Sequence, residues 1–240
     1  MTSSSAPEIV RVKRLELAVA PRPWPFAEEN REGIARHFAQ LKESKPAVWN
    51  GRIMLLHHHA IAGDVFRGGY LETDYASFVA WRDWGFPDAS IRNCFSLGAL
   101  RASDGGFLLG VMGTHTLNAG KIYFPAGTPD PSDIVGETVD LAASIRREVA
   151  EETGLAPDAY EAEEGWTCVL TPTHIAQIKL LHTPETAPVL RERILRHLAR
   201  EAQPELTDIR IVRGPADLDP MMPPFMTAFL MHAWRQRSGS

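Results

Sequence analysis

Between Arg147 and Leu155 the chain reads Arg-Glu-Val-Ala-Glu-Glu-Thr-Gly-Leu, with glutamates at 148, 151 and 152. Carboxylates three and four residues apart on a helix repel one another, and one placed beside a core also loses hydration. A divalent cation removes both penalties. Oxygens one helical turn apart suit magnesium or manganese, hard ions that keep several waters and bind substrate phosphates. A bare glutamate pair is ordinarily a solvated acidic face. Here the arginine, the spaced acids and the closing Gly-Leu coincide, which favours the metal.

Such residues need a rigid support. No Gly or Pro interrupts Thr138 to Thr153, Thr138 suits an N-cap with Asp140 in the first turn, and Gly154 supplies a stop. Leu141, Ala142, Ile145 and Val149 recur at spacings of three and four and line one face. At about 100° per residue, Glu148, Glu151 and Glu152 fall in an adjacent arc roughly 100° wide. Glu152 lies almost over the Leu141–Ile145 seam, so the pattern predicts a glutamate partly shielded from water.

Arg147 to Leu155 matches the second half of the Nudix box, Gly-x5-Glu-x7-Arg-Glu-U-x-Glu-Glu-x-Gly-U with U bulky and apolar, at every defined position. Tyr-Phe-Pro-Ala-Gly at 123–127 resembles the segment that opens the box. The chain thus resembles the Nudix hydrolases, pyrophosphatases acting on acid anhydrides. The resemblance implies Mg2+ or Mn2+ as cofactor, with Glu148 and Glu152 as direct ligands. Glu151 would be a third ligand or the base that orients water. The backbone carbonyl of Ala126 would join the shell, and Arg147 would orient rather than ligate.

The first half of the box departs from the pattern. It asks for glutamate at 139 and glycine at 133, where this chain has Val139 and Asp133, and the loop after Gly127 is about six residues longer. In the family that glutamate braces the arginine. Asp133, Glu137 or Asp140 could replace it, and Glu137, ahead of the helix and free to fold back, is weakly preferred. Phe124 to Asp133 is similar to a run in relatives that act on coenzyme A derivatives. Residues 48–85 are similar to the lead-in of an animal Nudix enzyme that hydrolyses UDP-glucose.

A chain of 240 residues, 44% of them hydrophobic, can bury one sizeable core. A net charge of −5 gives no electrostatic case for a nucleic-acid partner. Cys94 and Cys168 stand apart and outside any Cys-x-x-Cys spacing, against a disulfide framework or zinc site. Met1 to Val10 lacks an apolar run of signal length and no run spans a membrane, so a cytoplasmic location is expected.

Strand-like stretches at 8–19, 52–61, 121–124, 166–171, 174–182 and 208–212 alternate with helix-like ones at 26–45, 73–85, 138–153, 187–203 and 223–235. Residues 94–102 and 107–113 flank Ser-Asp-Gly-Gly as a hairpin. This predicts an α+β fold, and the resemblance makes it a Nudix-type α/β/α sandwich with a mixed sheet. The expected division is a flexible tail at 1–7, an N-terminal extension at 8–92 packed on the core, and a Nudix domain at 93–240.

Other residues invite chemistry less strongly. His57, His58 and His59 lack the spread of a closed metal site, so packing or surface roles are expected ahead of a place in the cleft. His115 and His174 are isolated. Tyr75, Phe78 and Val79, flanked by Trp81 and Trp84, fit core packing better than base stacking. Arg191, Arg193, Arg196 and Arg200 form the solvated face of an amphipathic helix. No Gly-x-Ser-x-Gly elbow, P-loop or dinucleotide fingerprint is present.

The sequence therefore predicts a metal-dependent hydrolase of a diphosphate linked to another moiety. A sugar nucleotide, a coenzyme A derivative, ADP-ribose and a dinucleoside polyphosphate all present that linkage. The expected partner is a small-molecule diphosphate, neither nucleic acid nor membrane, and a homodimer is allowed. The rival is a non-catalytic Nudix-fold sensor that binds a nucleotide without hydrolysing it.

Overall fold

The computed structural model describes residues 6–238; of the expected tail at 1–7, residues 1–5 lie outside that range. The alternation from Glu8 to Val19 breaks at Lys13 into β1 (Glu8–Val12) and β2 (Arg14–Val19), which join different sheets. The helix expected over 26–45 is divided at Asn30 into α1 (Pro25–Glu29) and α2 (Arg31–Ser44), and the Asn30 amide turns back to donate to Phe26 O at 2.8 Å. A hairpin of β3 (Arg52–Ala62) and β4 (Val65–Asp74) leads into α3 (Tyr75–Asp83), capped by Asp74. Then follow β5 (Asn93–Arg101), β6 (Phe107–Met112), β7 (Ile122–Tyr123), β8 (Ala126–Gly127), β9 (Ile134–Val135) and β10 (Thr138–Val139). The acidic helix is α4 (Leu141–Thr153). The chain continues through β11 (Glu161–Ala162), β12 (Trp166–Leu170), β13 (His174–His182), α5 (Ala187–Leu198), β14 (Leu206–Val212) and α6 (Pro224–Ser238).

Two mixed sheets result. A nine-stranded sheet runs β1-β12-β13-β5-β6-β14, with β7, β8 and β11 attached along it, and β5 and β13 form its parallel pair. A five-stranded sheet runs β3-β4-β2-β10-β9. Alternate residues of β5 face opposite cores, as a strand's pleat requires. Cys94 and Leu100 join Ile145, Val149, Leu190 and Ile194 beneath α4 and α5, together with Leu17, Phe66 and Tyr70 of the smaller sheet. Phe95, Leu97 and Ala99 face Met226, Phe229 and Leu230 of α6. This is the expected α+β arrangement of helices and mixed sheet.

Ile145 and Val149 are 2% and 0% exposed, and burying each contributes about 1.5–3 kcal/mol to fixing α4 on the sheet. Gly98 permits the close approach, because a Cβ there would stand 2.7 Å from Val149. The expected boundary at 92 and 93 is crossed by two ladders: β1 pairs with β12, and β2 pairs with β10. Among the described residues, no helix is long and apolar enough to cross a membrane.

Candidate active site

β5 and β6 pair at Arg101 and Phe107 and then diverge, and residues 122–127 fill the fork between them. Within it β7 pairs with β6, setting Tyr123 opposite Gly110, and β8 pairs with β5, setting Gly127 opposite Ser96. A Cβ on Gly127 would collide with the Glu148 carboxylate, so glycine is what lets that acid reach the fork.

The helix carrying the acids starts later than its sequence suggests. Asp140, not Thr138, is the N-cap, its Oδ1 accepting from the backbone N–H of Ala142 at 3.0 Å and of Ala143 at 2.9 Å. Thr138 lies in a strand opposite Ala18 and Val135, which occupies its backbone elsewhere. Gly154 ends the helix at φ 69°, and a Cβ there would meet the His197 ring at 2.5 Å. That ring lies 3.1 Å from the Glu151 carbonyl.

Glu152 is 6% exposed; its Oε1 accepts from Ala126 N–H at 3.2 Å, while Oε2 is buried without a hydrogen-bond partner. Burial pushes its carboxyl well above the ordinary range, and the charges of Glu148, Glu205 and Glu151 push the same way. Glu148 is also raised by burial, with the Arg147 guanidinium pulling it back. Glu151 is exposed at the helix end. Among the described residues, no three His, Cys, Asp or Glu side chains converge as a ready metal cluster. The donors are nevertheless hard carboxylate oxygens, one of them buried and unpaired, and this set fits a hard divalent ion.

Arg147 bridges two acids. It donates to Asp133 Oδ1 at 2.7 Å and to Glu148 Oε1 at 2.9 Å, and Asp133 keeps only 1% of its side chain in water. The preference for Glu137 as the brace is thus corrected. Glu137 is exposed, and Asp140 is committed to capping. The longer loop explains the outcome: residues 131–133 form a 3-10 turn capped by Asp130, and β9 and β10 then fold as a small hairpin about Gly136. Asp133 is thereby delivered under Arg147, while Val139, 2% exposed, becomes part of the core.

One acid escaped the sequence reading. Glu205 precedes β14, its carbonyl accepts from Gly113 N–H at 2.7 Å, and its charge reaches both Glu148 and Glu152. No local motif marks it.

In the histidine run His58 is exposed while His57 and His59 are half-buried. A bulge between Leu56 and His58 leaves His57 out of register, so its ring meets that of His58 at 4.5 Å, while His59 stacks on Phe66 at 5.5 Å. His174 is lowered to about 4 by burial and packs edge-on to Phe86 at 5.4 Å. His115 is half-buried beside Gly113. Phe78, Val79 and Trp81 are core, as expected, with Trp84 at their edge. Arg191 pairs with Asp208 and Arg193 with Glu185. Both cysteines are free and buried, their thiols pushed up to about 12 by burial.

The buried acids make stability depend on pH in a defined direction. A carboxyl whose folded pKa lies above its unfolded value of 4.5 binds its proton more tightly when folded. Its contribution is therefore lost as pH rises from about 4.5 through the raised value. Without metal, Glu152→Gln should gain melting temperature relative to wild type over that window. Parallel dependence of melting temperature on pH in the two proteins, as pH is raised above the ordinary carboxylate range, would contradict this.

No family model matches the sequence, and no curated protein does. In fold the chain is similar to a Nudix hydrolase from M. smegmatis, at 14% identity over 61% of this chain and 84% of that one, with a TM-score of 0.39. A putative Nudix family member from Chromobacterium violaceum aligns at 18% identity over 61% and 80%, with a TM-score of 0.40. The C-terminal domain of mouse MUTYH, solved with human PCNA, aligns at 13% identity over 61% and 90%, with a TM-score of 0.39.

Proposed function

We propose that this chain is a Nudix-type hydrolase that uses a divalent metal ion to split a diphosphate linked to another moiety. Glu152 carries the proposal. A buried carboxylate oxygen without a partner costs about 1–3 kcal/mol or more, a penalty that a bound cation would remove.

Glu148 and Glu152 would hold magnesium or manganese, with the Ala126 carbonyl beside them and Glu151 as a further oxygen. A bound ion would neutralise phosphate charge and lower the pKa of attacking water. Asp133 clamps Arg147, and Arg147 fixes the Glu148 carboxylate in turn. The fork holds Ala126 and Gly127 against the same two acids. Glu151, exposed to solvent, would take the proton from water as it adds to phosphorus and the bridging P–O bond breaks. The rival sensor reading drew on the altered first half of the box. Asp133, standing where Arg147 needs a carboxylate, weakens that argument.

Magnesium or manganese should raise the melting temperature of the wild type, by the equivalent of about 2.7 kcal/mol at a hundredfold excess over Kd. It should do much less for the Glu148→Gln, Glu152→Gln double variant. Equal shifts in both proteins would place the ion elsewhere. The wild type with metal, given a panel of sugar nucleotides, ADP-ribose, coenzyme A derivatives and dinucleoside polyphosphates, should split at least one. Metal binding with no cleavage across the panel would favour the sensor.

A further inference from the structure

We propose that His57 and His58 hold a divalent ion of the zinc class between their Nδ1 atoms, at a site additional to the acidic one and needing no part of the hydrolase reading. On a regular strand neighbouring side chains point to opposite faces, which would part these two rings. The bulge in β3 makes His57 the extra residue opposite β4 and brings both rings to one side, a re-aiming that bulges commonly provide. Their Nδ1 atoms consequently stand 3.2 Å apart. Two nitrogens bound tetrahedrally to one zinc ion, each at about 2.0–2.1 Å, stand about 3.3 Å apart.

Both rings are set from β4. His57 Nε2 lies 2.9 Å from the Ala20 carbonyl, which only accepts, so this nitrogen carries the ring proton and Nδ1 keeps its lone pair. A ligating histidine is ordinarily oriented in this way, by a carbonyl or carboxylate at its other nitrogen. Ala20 is itself tied to β4, its N–H donating to Tyr70 O at 2.8 Å. The adjacent Gly69 pairs with His58 and seats the second ring, because a Cβ there would stand 2.7 Å from His58 Nδ1.

Burial lowers the His57 pKa against the pull of the Ala20 bond, and the charges of His58 and Arg22 lower it further. The ring is therefore neutral and able to ligate near neutral pH. The Arg22 charge also opposes a cation, so affinity rests on the paired nitrogens. A hydrogen bond between the rings accounts for the arrangement less well. In a straight N–H···N bond the nitrogens face each other, whereas ring centres only 4.5 Å apart and inclined at 67° leave them canted. Imidazole suits zinc, nickel and copper rather than magnesium. His58 is exposed, so water can complete the shell, while His59 is stacked on Phe66 and takes no part.

Isothermal titration of the full chain with zinc chloride, in excess magnesium, tests this. The wild type should bind zinc, and His57→Gln and His58→Gln should each weaken it by more than about 10-fold, since losing even an outer-shell partner costs about 10–100-fold. Gly69→Ala keeps both histidines but displaces a ring, and should weaken zinc as they do. His59→Gln should match the wild type. Melting curves without zinc show which variants are folded, and His58→Gln, altering an exposed side chain, decides the case should the others fail to fold. Unchanged zinc affinity in folded His58→Gln would overturn the site. So would a loss confined to the Glu148→Gln, Glu152→Gln double variant, which would put the zinc on the acids. A wild type that binds no zinc would reduce the pair to a hydrogen bond between rings.

Discussion

Glu152→Gln is expected to lose about 10²–10⁴-fold in turnover at saturating magnesium while the protein stays folded. The amide has nearly the volume of the carboxylate and keeps an oxygen for the Ala126 N–H that now bonds Glu152 Oε1. What disappears is a charge that burial and three neighbouring glutamates oppose. The metal-free variant should therefore melt at or above the wild-type temperature. Loss of activity with gain of stability separates a working ligand from a packing residue, which would lose both. Normal turnover by this variant would end the assignment of the acids.

Asp133→Ala should have the largest effect on stability. The Asp133 side chain is 1% exposed and its oxygens serve Arg147 and the backbone N–H of Asp130. Removing it leaves the guanidinium half-buried beside the core. Breaking such a pair costs about 3 kcal/mol, the low end for buried pairs because Arg147 keeps 30% of its side chain in water. Urea denaturation measures it. A change below about 0.5 kcal/mol would mean that the pair behaves as a surface ion pair. Activity should fall as well, since Glu148 loses the arginine that aims it. Asp133→Asn, which keeps the shape and one acceptor, should fall between.

The helix and its shielded glutamate were legible because both follow from periodicity: Leu141, Ile145 and Val149 define the buried face, and Glu152 falls beside it. The Gly154 stop was legible for the same local reason. The brace was not. Position 139 is filled by a valine that packs in the core, and the carboxylate arrives from Asp133 through a turn and hairpin whose course depends on pairing with β2. Glu205 was illegible because only the placement of β14 beside β6 brings it near the acids. The bulge at His57 and the break at Lys13 are likewise properties of strand pairing rather than of the residues themselves.

The two ladders that tie the start of the chain to its later parts also set an order of events. β1 finds its partner only when Trp166–Leu170 has been made, and the hairpin that delivers Asp133 docks on Ala18 across half of the sequence. Closing loops of that length is entropically unfavourable and slow. A chain still emerging from the ribosome thus carries its glutamates before β1 has its partner strand. The sheet that supports the acidic helix is therefore completed by a strand whose partner is made more than 150 residues later in the chain.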